Sequence, residues 1–303
     1  MRIVVIVAAI VLLIGSGAAQ AEALFDVPQH LVQIESRPGI QTRMIVYRPA
    51  QPLATVILFP DGNGRLDITP IFSTPQMGRT ADVPWELIEH LVERQMTVVL
   101  MDAPPDHRSI LGVNGWHGPA IFRLSREHAR DIRAAVDYFT RQDPRPIWLV
   151  GIRMGAFSAV TAAVDLQAKV TGLVIADGIT RCPEQKTLLE LCPRGLMGLP
   201  LQKITIPTLI LSGRESGPEP LLSTAISQSP ALRYLTYPAL ANVEKGTGPT
   251  HADRLLAGFL NAQLSRQMAD FIAWNESINP YSTCERNPVE MAPEEIYLAG
   301  ICF

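Results

Sequence analysis

The residues whose arrangement most clearly suggests chemistry are Gly151-Ile152-Arg153-Met154-Gly155. In front of them lies an apolar run at 147–150 (IWLV), itself preceded by the breakers Asp143-Pro144-Arg145-Pro146. Behind them comes a stretch of small and apolar residues, 156–166, with helical character. Strand, glycine-flanked turn and helix make the context of a nucleophile elbow, where a tight turn lifts one side chain over a sheet edge. The chemistry of such a turn is acyl transfer by a serine at the centre of G-x-S-x-G. Here the centre is Arg153. A guanidinium is protonated at any usable pH and offers no lone pair for attack.

Three roles are open to Arg153. The serine could have been lost, with a long side chain tolerated at a solvent-lined pocket. The position could have changed its job, since a guanidinium above the N–H groups of a helix N-terminus suits a carboxylate or phosphate ligand. Or weak hydrolysis could persist through water or another side chain, because losing one member of a triad leaves a residue of catalysis. Ser158 lies five residues further on, along the helix and away from the raised tip. Ser212 and Ser216 read as loop residues.

Other chemistries find little support. The histidines show no i, i+4 or H-x-H spacing and no carboxylate cluster accompanies them, so neither a metal nor a cofactor is expected. His107, His117 and His128 are expected to serve loop hydrogen bonding and a helix surface. Gly62-Asn63-Gly64 lacks the further glycine and the lysine of a nucleotide loop. A net charge of −3 with no basic stripe argues against nucleic acid as a partner.

The elements that must hold the elbow follow from hydrophobic patterning. Residues 31–35 and 44–47 alternate around Pro38-Gly39 and predict an antiparallel hairpin at a sheet edge. Short apolar runs at 55–59, 97–101, 147–150, 172–176, 208–211 and 233–236 predict buried strands. Helices are expected at 85–94, 124–141, 154–166 and 254–274. On the second of these, Leu124, Ile132, Val136 and Phe139 share a face, Ser125 is placed to cap, and Glu127 suits the first-turn dipole. Apolar runs alternating with helices imply an α/β fold: a mostly parallel eight-stranded sheet with helices on both faces. The loops at 67–84 and 180–203 are lid candidates.

The N-terminus pairs Arg2 with an apolar run from Ile3 to Ile14 and a small-residue stretch ending at Ala21. That pattern predicts a Sec-type signal peptide at 1–21, cleaved after Ala21, and hence a periplasmic or secreted protein. A stable membrane span, which needs about 20 apolar residues, is not expected. Residues 22–276 would form one domain and 277–303 an irregular tail. In an oxidising compartment Cys182, Cys192, Cys284 and Cys302 suggest two bridges. Proximity along the chain favours Cys182–Cys192 and Cys284–Cys302, the second stapling the tail.

With these loops and strands in order, residues 30–275 resemble the α/β-hydrolase superfamily. More narrowly they resemble exported bacterial members with P-x-G-x-G after the third strand and D-A-P-x-D-H after the fourth. Those stretches are Pro60-Asp61-Gly62-Asn63-Gly64 and Asp102-Ala103-Pro104-Pro105-Asp106-His107. The resemblance implies His251 as a base, in Gly248-Pro249-Thr250-His251, oriented by Glu215 or Asp177. It implies an oxyanion hole from the backbone N–H of Met154 and one from the Asp61-Gly62 turn. It supplies no nucleophile.

Asp61 departs from the glycine that many relatives carry, and a carboxylate beside a developing oxyanion would repel it. Arg153 would cancel that charge. The two are therefore expected to pair across the pocket and close the oxyanion hole; Asp61-Gly62 as a plain turn is the competing expectation. The leading functional reading is an exported relative of serine esterases and peptidases, silent or strongly impaired. Its alternatives are a periplasmic binding protein for a small carboxylate or phosphate, and an active hydrolase of ester or amide bonds with an unconventional nucleophile.

Overall fold

The computed structural model describes residues 28–71, 74–78, 83–107, 122–180, 195–213 and parts of 222–237. Strands β1 (Gln29–Arg37) and β2 (Ile40–Tyr47) form the expected antiparallel hairpin about Pro38-Gly39, its turn tied by Gly39 N–H donating to Glu35. β3 (Ala54–Phe59) is buried along its whole length. A small antiparallel ribbon, β4 (Thr69–Ile71) with β5 (Thr74–Gln76), occupies part of the first lid candidate.

Helix α1 (Trp85–Glu93) leads into β6 (Met96–Met101), and α2 (Arg126–Gln142) into β7 (Ile147–Ile152). Ser125 caps α2 as its position suggests, its side chain accepting from His128 N–H. Helix α3 (Gly155–Leu166) follows β7, and β8 (Gly172–Ala176), β9 (Thr208–Gly213) and β10 (Leu232–Tyr237) complete the sheet. The expected helix at 254–274 and all four cysteines lie outside the described residues.

Sheet order is β1-β2-β6-β3-β7-β8-β9-β10. The hairpin joins antiparallel through β2 and β6, and every later pairing is parallel. Alternation along the strands builds two cores. Ile57, Phe59, Val99 and Leu149 face α2 and α3, whereas Val56, Leu58, Trp148 and Val150 face α1. Truncating one of these fully buried side chains to alanine would cost about 2–5 kcal/mol.

This order fixes where chemistry can occur. β7 runs between β3 and β8, with Phe59 opposite Gly151 and Ile152 opposite Ala176. The loop after β3, the turn after β7 and Asp177 after β8 therefore emerge side by side at the carboxyl edge of the sheet. In open α/β sheets ligands bind at such edges.

Candidate functional site: a closed elbow

Arg153 occupies the raised tip with φ of 47°, the left-handed conformation that a non-glycine residue adopts only when its surroundings impose it. Its N–H donates to Ala176 O at 2.8 Å, which locks the turn to β8. Gly155 has a steric duty here: a Cβ at that position would lie 1.9 Å from the carbonyl oxygen of Phe59. The elbow thus rests directly against the end of β3 and the loop that follows.

Helix α3 starts without a cap of its own. Met154 makes no side-chain capping bond, and the first turn carries no acidic residue. The acceptor comes instead from the neighbouring loop. Asp61 Oδ1 accepts from Met154 N–H at 3.1 Å, a charge-assisted bond at the positive end of a helix. Asp61 Oδ2 lies 2.8 Å from Arg153 Nε. The expected pairing of Asp61 with Arg153 is therefore present, and one carboxylate serves both the guanidinium and the backbone donor. Asp61 is mostly covered, whereas the Arg153 side chain is 57% exposed.

The consequence is chemical. In a working elbow the N–H after the nucleophile stabilises the oxyanion of the tetrahedral intermediate. Here a fixed negative charge already holds it.

The loop that carries Asp61 is gripped from several directions. Asp102, 1% exposed, accepts from the backbone N–H groups of Leu66, Asp67 and Ile68 at 2.7, 3.2 and 3.1 Å. Ala103 N–H donates to Gly64 O, and Arg43 to Ile68 O. Further along the same D-A-P-x-D-H stretch, Asp106 takes a forked bond from Arg37, which also donates to the buried Asp131 of α2. These motif residues tie the loop after β3 and helix α2 to the frame of the sheet.

A buried polar cluster lies behind the loop, and the sequence did not disclose it. Arg123, 2% exposed, donates from Nη2 to Pro60 O at 2.8 Å and to Gly62 O at 3.2 Å. Its Nη1 donates to Ser158 Oγ at 2.9 Å, and His128 Nε2 lies 2.8 Å from the same oxygen. Burial lowers the Arg123 pKa to about 10, opposed by the Asp61 carboxylate, so the guanidinium is charged at neutral pH. Burial first, then the neighbouring Arg123, hold His128 well below the ordinary imidazole range. His128 is packed against Phe122 and Phe59. It is 4% exposed, so its expected place on a helix surface is corrected. The signal was available: His128 is four residues from both Leu124 and Ile132, on the apolar face.

Ser158 and His128 resemble a nucleophile and its base in distance alone. Ser158 has no exposed surface, and its Oγ already accepts a hydrogen bond from Arg123 Nη1. No acyl group reaches it, so the pair is a buttress beneath the elbow.

Asp177, with φ of 48°, follows β8 beside the elbow, its N–H donating to Leu211 O. His251 and Glu215, the other members of the implied triad, lie outside the described residues. Among the described residues, no helix is long and apolar enough to cross a membrane.

No family model matches the chain, and no curated protein matches it. Solved structures resemble it in fold. A thermostable carboxyl esterase from Bacillus coagulans, in complex with glycerol, is 12% identical with a TM-score of 0.52, covering 78% of this chain and 99% of that one. A dienelactone hydrolase from Anabaena variabilis is 14% identical with a TM-score of 0.50, covering 80% and 99%. A Rhizomucor miehei esterase is 13% identical with a TM-score of 0.52, covering 84% and 86%. The chain has the α/β-hydrolase fold.

Proposed function

We propose that this is an exported α/β-hydrolase-fold protein whose acyl-transfer site is closed, so that it does not act as a serine esterase or peptidase. One observation carries the reading: a single carboxylate, Asp61, bridges Arg153 Nε and Met154 N–H. The position of the nucleophile holds a cation, and the donor that would stabilise the intermediate is taken. Ester bonds are the bond class named for the esterases that share the fold, and this site is built to the same plan without its reactive atom. His251, with Glu215 or Asp177, would be remnants of the triad.

Binding of a small carboxylate or phosphate is the second reading, favoured by the exposure of the Arg153 side chain. Asp61 occupies the place that such a ligand would take, so the ligand would have to displace it. Affinity would then be modest and steeply dependent on salt.

The test is hydrolysis of short-chain p-nitrophenyl esters by the purified mature protein. A closed site gives the uncatalysed rate, unchanged by His251→Ala. Turnover that His251→Ala abolishes would sink the proposal. Thermal shift with acetate and inorganic phosphate addresses the second reading, since a binder is stabilised by RT ln(1 + [L]/Kd).

A further inference from the structure

We infer that Arg123 is the positioning residue of the closed elbow: its buried guanidinium bridges the loop after β3 to helix α3 and thereby sets Asp61 on Met154. The inference rests on the reading that the Asp61 bridge closes the site, and adds what holds that bridge in place. Asp61 lies between Pro60 and Gly62, and Arg123 Nη2 grips the carbonyl oxygens of both. The other end of the same planar group is fixed to Ser158, one turn into the helix whose first N–H Asp61 receives. One rigid fork thus spans both sides of the Asp61–Met154 contact.

The P-x-G-x-G stretch acquires a physical meaning from this. Its three defining positions, Pro60, Gly62 and Gly64, all meet Arg123. Gly64 has φ of +77°, and a Cβ there would stand 3.2 Å from Arg123 Nη2. The stretch is a cradle for a guanidinium. Among the described residues no carboxylate forms an ion pair with Arg123; Asp61 supplies the favourable charge through space. That links the two arginines electrostatically: Asp61 compensates the buried one and pairs with the exposed one. Lysine would keep the charge, but its three donors radiate from one nitrogen and cannot span Ser158 on one side and two carbonyls on the other as the planar fork does.

The test is residue-resolved hydrogen exchange on the full mature chain, comparing wild type, Arg123→Lys and Ser158→Ala. In wild type the Met154 amide is expected to be protected; if it is not, the closed-site reading itself fails, before Arg123 enters. In Arg123→Lys the Met154 amide should exchange about tenfold faster or more, while Val56, Leu149 and Val174 in the sheet keep their wild-type protection. Unchanged protection at Met154, or equal acceleration at all four amides, would overturn the positioning role. Should Arg123→Lys fail to fold, Ser158→Ala decides. Selective acceleration at Met154 supports the inference and unchanged exchange there contradicts it.

Discussion

Asp61 and Arg153 meet across the elbow at 2.8 Å, with the second oxygen of Asp61 on the Met154 N–H. The relationship ties two departures from the expected pattern into one arrangement. Alone, an aspartate there would leave its charge beside the oxyanion site, and an arginine would leave a cation at the tip. Together they neutralise each other and cap a helix that lacks its own cap.

Restoring a serine should therefore not restore a site. In Arg153→Ser the Met154 N–H is still held by Asp61, so ester hydrolysis should rise little. Adding Asp61→Gly releases the donor and removes the repelling charge, which should raise kcat by about a hundredfold over the single variant. Steady-state rates on p-nitrophenyl acetate compare the two. Equal rates would mean that Asp61 does not obstruct the donor.

Asp102 satisfies three backbone donors in a buried place. Asp102→Ala should lower unfolding stability by about 2–4 kcal/mol, since each stranded donor costs about 1–3 kcal/mol less whatever relaxation recovers. Urea denaturation followed by tryptophan fluorescence measures it. A change below about 0.5 kcal/mol would show that the loop finds other acceptors.

Gly155 has no room for a side chain, because Phe59 O stands 1.9 Å from where Cβ would be. Gly155→Ala should separate the elbow from β3 and cost more than about 4 kcal/mol. Loss of soluble, cooperatively unfolding protein is the expected outcome. Near-wild-type melting would contradict the contact.

His128 gives a pH dependence. Its pKa is depressed in the fold, so below about 6.5 the unfolded chain takes up a proton that the folded chain refuses. Stability from this group is full above that pH and falls as the pH drops toward the folded value, by up to about 1.4 kcal/mol per pH unit. Urea midpoints between pH 7 and 5 should show that slope, reduced in His128→Gln. An identical slope in the variant would assign the acid sensitivity to other groups.

Much of this was legible in the chain. The strands appear as short apolar runs because the central ones are covered on both faces, and the elbow is written in its spacing. The Asp61–Arg153 pair is one of the two expectations that the sequence leaves open at Asp61-Gly62, and the structure has the two side chains 2.8 Å apart. Arg123 was not legible. Nothing local distinguishes an arginine ahead of a helix cap from a solvated one, and its partners are two backbone carbonyls and a serine distant in sequence. The polarity of His128 points to the surface, whereas its register, four residues from both Leu124 and Ile132, puts it on the buried face. Asp177 emerges beside the elbow after β8, as its place in the chain suggests, and His251 lies outside the described residues.

The central claim is that no activated serine serves this elbow. Incubating the purified protein with a fluorophosphonate probe and mapping adducts by mass spectrometry tests it most directly. A closed elbow predicts no stoichiometric adduct on any serine. A single serine labelled to completion, and protected by prior unfolding, would contradict it.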